Sequence, residues 1–378
     1  MPNTTPIPAP IAPGNDKRDP LSRLQALLTQ PAMYTGIRAG LVAVNACPLS
    51  STLRAARRIG RTFGNLPFNR NRVERAIEQL AVAMPTLDLA QRTELVHRSY
   101  EHLAMLAVEL AVLPRYMTED AWSEFIELGE LEHAIRPLLE DRPTLLLTAH
   151  CGNWEVLGYT MALLGFRMHA IYRPLDLRPA DRWLRQTRSR RGLELVDKFG
   201  AINQLPRLLS QGESVAFVAD QNAGTRGLHV PFFGRLASSY KSIGLMAIQH
   251  RARIIVGCAQ RRCTSRGEPD SMQYRIEIDD RIDPEDWENQ PDPLFYITAR
   301  YRRAIEQSVR RAPEQYLWMH RIWKSRPRHE RLDKPFPDAL RAKLEALPWM
   351  TEPELDAIVH RSDLDRTILR ERGVEELR

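Results

Sequence analysis

The sequence contains no run of about 18 or more uncharged apolar residues, so no segment reads as a clear transmembrane helix. The nearest candidate, Met33 to Leu49, is broken by Arg38 and Asn45. Cysteine is scarce. Cys47, Cys151, Cys258 and Cys263 form no CxxC pair, which argues against a disulfide framework or a zinc site and for a reducing compartment. No metal and no cofactor are therefore expected, and Cys151 reads as a small buried filler. GxSxG, the nucleophile elbow of many hydrolases, does not occur, and the SxxK match at Ser238 to Lys241 is a pattern common by chance. No nucleic-acid-binding motif is present and the basic residues are scattered, so nucleic acid is not an expected partner.

What the chain does have is enough apolar material for a sizeable core, 43% hydrophobic over 378 residues, and a net charge of +7 that favours acidic partners. Six prolines among the first 20 residues predict a disordered lead-in over 1–20, proline-rich rather than basic and so unlike a signal peptide. From Leu21 to Leu139 apolar residues recur at three and four spacing, as in Tyr100, Leu103, Leu106, Ala107 and Leu110, and predict an N-terminal helical region. Short apolar runs then alternate with amphipathic ones: Leu145 to Ala149, Met168 to Tyr172, Leu193 to Val196, Ser214 to Ala219, Ile254 to Ala259 and Tyr274 to Ile278. Strands separated by helices predict an α/β domain over 140–326, with a largely parallel sheet flanked by helices. Residues 327–378 return to charged, helical sequence of no evident role. There is no internal repeat.

The stretch TLLLTAHCGNWEVLG, Thr144 to Gly158, carries the chemistry. Its apolar run is a buried strand, so His150 falls at the carboxyl end, where ligands of open α/β sheets bind. Cys151, Gly152 and Asn153 suit a tight turn, and the spacing of Trp154, Leu157 and Met161 starts a helix. Glu155 then lies in the first helical turn, where its charge is favoured and where it can fold back on the imidazole. Two readings fit. In one, the carboxylate keeps one ring nitrogen protonated and the other takes a proton from a hydroxyl. In the other, His150 is a hydrogen-bonded structural residue and Glu155 a plain helix charge.

HCGNWE, of the form HxxxxE, resembles the glycerolipid acyltransferase superfamily, and its filling is similar to that of the lipid A late (secondary) acyltransferase family. Further matches follow in order: IYRPLD from Ile171, VADQNAG from Val218, VPFFGR from Val230 and PEQYLWMHRIWKSRP from Pro313. The resemblance spans roughly Leu95 to Pro327. It implies transfer of a fatty acyl chain from an acyl thioester, on acyl carrier protein or coenzyme A, to a hydroxyl of a membrane glycolipid. His150 is then the general base and Glu155 its partner. The family includes phosphatidylinositol mannoside acyltransferases, so the acceptor stays open, as does an inactive lipid-binding relative.

The remaining site residues follow from these motifs. Arg173, ending the second strand, is expected to bind a lipid phosphate or steady the thioester oxyanion. Asn153, Asp220 and Gln221 are expected to bind substrate or the oxyanion; for the Asp220 pair a plain strand-ending turn fits equally. Trp154, Phe232 and Phe233 are candidates for an acyl channel, although two adjacent phenylalanines more often belong to the core. WMHRIWK reads as a helix with Tyr316, Met319, His320 and Trp323 on one face, suited to a membrane interface or to packing on the sheet. Arg182, Arg185, Arg188, Arg190 and Arg191 form a basic cluster that fits phosphates, an acidic carrier or a solvated helix face. The amino-terminal hydrophobic anchor usual in the family is eroded here. The expected location is the cytoplasmic face of the inner membrane, held peripherally or weakly anchored on an anionic surface.

Overall fold

The computed structural model describes residues 20–129, 136, 138–140, 142–262 and 272–377; the lead-in through Asp19, Pro137 and Cys263 lie outside the described residues. The N-terminal region is helical: α1 (Pro20–Ala46), α2 (Leu49–Gly64), α3 (Arg70–Ala83) and α4 (Leu89–Tyr116). Asp88 starts α4 with a capping box, its side chain accepting from Gln91 N while Gln91 reaches back to Asp88 N. The region was expected to be helical throughout, and it is not. Ile126–Leu128 forms a short strand, β1, paired parallel with β9 (Tyr274–Ile282). Three residues carry no readable periodicity, and only the waiting sheet edge makes them a strand.

The expected α/β class holds. Alternation proceeds through β2 (Thr144–Thr148), α5 (Trp154–Leu163), β3 (Met168–Tyr172), α6 (Arg178–Ser189), β4 (Glu194–Asp197), α7 (Ala201–Ser210) and β5 (Ser214–Val218). A hairpin follows, β6 (Leu228–Phe232) and β7 (Arg235–Ser239), then α8 (Lys241–His250), β8 (Arg253–Arg261), β9 and the long α10 (Pro293–Arg311). The seven-stranded sheet has the order β1-β9-β8-β2-β5-β3-β4. Its β8, β2, β5, β3 and β4 run parallel, and β9 turns back against β8. Alternate residues of β2 go to opposite faces: Leu145 and Leu147 enter the main core, as does Ala149 just past the strand, and Leu146 packs with Ala162 and Met168. No helix among the described residues is long and apolar enough to cross a membrane.

One motif gains its structure and one local reading is corrected. The VPFFGR motif is the tip of the β6–β7 hairpin, where Phe233 and Gly234 both take positive φ (52° and 67°), the conformation a two-residue hairpin turn demands. WMHRIWK is not a helix. Residues 316–325 run through turns, held by Leu317 N donating to His150 O at 3.0 Å and by Gln79 from α3, and they bury Tyr316, Trp318, Ile322 and Trp323. Backbone groups bonded to other elements are not free to make a helical ladder.

The C-terminal stretch, α11 (Arg328–Arg331), α12 (Asp338–Glu345) and α13 (Glu352–Arg372), packs back on the domain, with Leu344, Leu347, Leu355 and Ile358 in the main core. A buried ionic group fixes it: Asp365 accepts from Arg235 (2.7 Å) and Arg326 (2.8 Å), and Arg326 also reaches Glu330 (2.8 Å).

Candidate active site

Thr148 pairs with Val218 in the β2–β5 register, and Ala219 N still donates to Thr148 O at 2.8 Å. His150 and Asp220 therefore both stand two residues past the last paired position of adjacent parallel strands. Their side chains meet: Nδ1 of His150 lies 2.8 Å from Oδ1 of Asp220. The Asp220 side chain is buried, and the His150 side chain keeps 18% of its surface. Arg302 from α10 donates to Asp220 O at 2.7 Å. Burial opposes charge on His150, but the Asp220 carboxylate, by charge and hydrogen bond, and Glu155 by charge outweigh it and raise the imidazole pKa. Burial likewise works to raise Asp220, yet His150, Arg302 and His320 push it down to about 2. The pair holds Nδ1 of His150 protonated and leaves Nε2 as the basic nitrogen.

The turn after His150 is over-determined. Gly152 sits at φ +64°, and a Cβ there would fall 2.0 Å from Ala259 O, so only glycine fits. His102 of α4 bonds Gly152 O at 2.9 Å. Asn153 caps α5, its Oδ1 accepting from Glu155 N (3.1 Å) and Val156 N (3.0 Å). Its amide donates to Glu109 of α4 (2.9 Å), which also pairs with Arg261 and accepts from the Tyr274 hydroxyl. Asn153 is fully buried, and the polar cluster ties the helical region to the sheet.

Glu155 was expected to orient the imidazole. Its carboxylate is instead held in a two-point ion pair by Arg188 of α6, with Arg188 Nε 2.8 Å from Oε2, and it accepts from Trp154 Nε1 at 3.0 Å. The hydrogen bond to His150 is made by Asp220. Trp154 meets the His150 ring edge-on, centroids 4.9 Å apart. Arg173 is exposed at the carboxyl end of β3, which leaves its pairing with β5 after Ala170. Phe232 and Phe233 are buried, Phe232 under the Arg302 guanidinium and against Trp323, Phe233 against Trp318. Within the basic cluster, Arg188 pairs with Glu155, Arg191 with Glu119, and Arg185 lies over the Tyr172 ring.

Two residues at the site were not anticipated. His320 stacks on His150, centroids 5.1 Å apart at 25°, and the Gln221 amide lies 3.5 Å from His150 Nε2 and 3.4 Å from His320 Nε2. Gln79, 239 positions before Trp318, bonds the backbone that carries His320. His320 stands inside the PEQYLWMHRIWKSRP motif, which is its signal in the sequence; Gln79 carries none. Among the described residues no group of three or more His, Cys, Asp or Glu is placed to hold a metal.

Fold and site together define an α/β protein that presents a carboxylate-oriented imidazole at the carboxyl edge of a parallel sheet, an arrangement suited to taking a proton from a hydroxyl. Residues 25–325 match the family of bacterial lipid A biosynthesis acyltransferases. The chain belongs to that family and is an acyltransferase. It is 26% identical over 265 residues to the lipid A biosynthesis palmitoleoyltransferase of Escherichia coli (strain K12), covering 69% of this chain and 81% of the relative. It is 24% identical over 274 residues to the lauroyltransferase of the same organism, covering 71% and 85%. A Haemophilus influenzae lipid A biosynthesis acyltransferase is 24% identical over 257 residues, covering 67% and 76%.

Proposed function

We propose that this protein moves a fatty acyl chain from an acyl thioester, carried by acyl carrier protein or coenzyme A, to a hydroxyl of a lipid A-like glycolipid. The observation that carries the reading is the 2.8 Å contact of His150 Nδ1 with Asp220, which leaves Nε2 basic at the sheet edge. In the reaction Nε2 takes the hydroxyl proton as the oxygen attacks the thioester carbonyl. The carbon–sulfur bond then breaks, and the imidazolium returns its proton to the leaving thiolate. Asp220 holds the tautomer and stabilises the imidazolium. Glu155 contributes as a second, more distant carboxylate whose position Arg188 fixes.

Arg173 is assigned to a lipid phosphate or to the oxyanion, where a fixed donor is worth roughly 3 kcal/mol. Its exposed place one strand beyond Asp220 supports this. Asn153 serves by capping the helix that begins beside His150, and Gln221 by bordering both imidazoles. Of the three aromatic residues considered for an acyl path, Trp154 is the one beside His150, while Phe232 and Phe233 support the core beneath.

The place of action is assigned to the cytoplasmic face of the inner membrane, held peripherally. Between Pro20 and Val73 the sequence has eight arginines and no acidic residue. On α2 and the turn after it, Ile59 (65% exposed), Phe63 and Phe68 (63% exposed) face solvent beside Arg54 and Arg58. Apolar side chains among arginines suit an anionic bilayer surface, each arginine contributing about 1 kcal/mol. The test is incubation of purified protein with acyl-carrier protein or acyl-coenzyme A and lipid A precursors, with products weighed by mass spectrometry. A glycolipid heavier by one acyl group supports the reading; free fatty acid alone, or no product with either donor, overturns it.

A further inference from the structure

His320 lies outside the expected machinery, yet several independent contacts converge on it. Its ring stacks on His150. The Gln221 carboxamide spans the two imidazoles at 3.5 and 3.4 Å. The irregular segment that carries it is gripped by one buried side chain: Gln79 donates to Trp318 O (2.6 Å) and His320 O (2.7 Å) and accepts from Ile322 N (2.9 Å). Three bonds from one glutamine to three alternate backbone positions fix where the turn stands and hence where the imidazole goes.

The donor and acceptor roles follow in sequence. Asp220 accepts from His150 Nδ1, so Nε2 of neutral His150 is bare. Gln221 must present its NH2 group to a bare nitrogen, and the same NH2 group faces Nε2 of His320. His320 is then bare at Nε2 and protonated at Nδ1. Burial and the neighbouring His150 lower the His320 pKa, partly offset by Asp220, which keeps the ring neutral near neutrality.

Resting on the acyltransferase reading above, we infer that His320 and Gln79 are positioning residues of this site. His320 anchors the Gln221 amide across the basic nitrogen of His150 and backs its ring, and Gln79 sets His320. The contacts beyond 3.3 Å are long enough for an incoming hydroxyl to displace the amide without a large cost.

Two measurements test this. Nitrogen-15 spectra of histidine-labelled protein should show His150 and His320 both protonated at Nδ1 and bare at Nε2 at neutral pH; protonation of His320 at Nε2 overturns the inference whatever the enzyme's activity. In the transfer assay, His320→Ala should lower kcat by about tenfold or more with KM within twofold, as expected for misplacement of a reacting group. His320→Asn, which keeps an acceptor, should recover part of the loss, and His320→Phe, which keeps only the stack, should not. Gln79→Ala should lower kcat similarly, and the Gln79→Ala/His320→Ala double variant should be no slower than either single. Rescue by Phe rather than Asn, or additive losses, overturns the assignment. Wild-type protein without transfer activity counts against the acyltransferase reading, and the tautomer result then decides this inference alone.

Discussion

Nδ1 of His150 and Oδ1 of Asp220 are 2.8 Å apart although 70 positions separate them in the chain. Parallel pairing of β2 with β5 brings them together, since each follows the last paired residue by two. The contact fixes both a tautomer and a charge preference.

Transfer should depend on neutral His150. Because its pKa is raised above the ordinary 6.5, the acid limb of kcat/KM should have its midpoint above that value, with activity growing as pH rises through it. Asp220→Asn removes the charge that raises the pKa, so the limb should move to lower pH while the maximal rate falls. A limb that stays in place would detach Asp220 from the base.

Replacing His150 should be the most damaging single change. His150→Ala is expected to reduce kcat by about 10²–10⁴-fold, and to lower stability as well because it removes the hydrogen bond to the buried Asp220 carboxylate. Glu155→Gln should cost less activity but more stability, because it strands the Arg188 charge. Adding Arg188→Met should restore part of that stability, and denaturant midpoints of the three variants provide the check.

Arg173 separates a role in the reaction from surface decoration. If its planar fork binds phosphate or the oxyanion, Arg173→Lys should lose most of the turnover at unchanged stability. Turnover within about twofold of the parent in both Arg173→Lys and Arg173→Ala would refute the role, since one lost donor at such a site costs roughly 100-fold or more.

Stability should fall in mild acid. Burial lowers His102 to about 3, and His229 and His329 to about 4, from 6.5. The unfolded chain binds these protons first, so stability declines as pH drops below 6.5 and levels off near 3 to 4. His150 has the opposite sign, its contribution being full below 6.5 and lost as pH rises through its raised value. Denaturant midpoints between pH 7 and 4 should fall because the three buried histidines together outweigh His150, and His102→Gln should flatten the slope.

Membrane contact should have both an ionic and an apolar part. Binding to vesicles containing anionic lipid should weaken at about 1 M salt, where charges are screened within about 3 Å. Phe63→Ser with Phe68→Ser should weaken it further with transfer to soluble acceptors intact. Binding unchanged in both conditions would place the contact elsewhere.

The sequence by itself determined the alternation of strands and helices, because a buried strand or an amphipathic helix writes its period into consecutive residues. It also placed His150 just past the carboxyl end of a buried strand, since the apolar run before it is β2. It did not determine the partner. Glu155 is the nearer carboxylate in the chain, but helix α5 carries it to Arg188, and the strand order that inserts β5 between β2 and β3 brings Asp220 instead. The same holds for the segment around His320, whose apolar spacing imitates a helix while its backbone is bonded to Gln79 and to His150 O. Periodicity is a property of neighbours along the chain; hydrogen-bond partners across a sheet edge are set by register and strand order, and those exist only once the tertiary structure has formed.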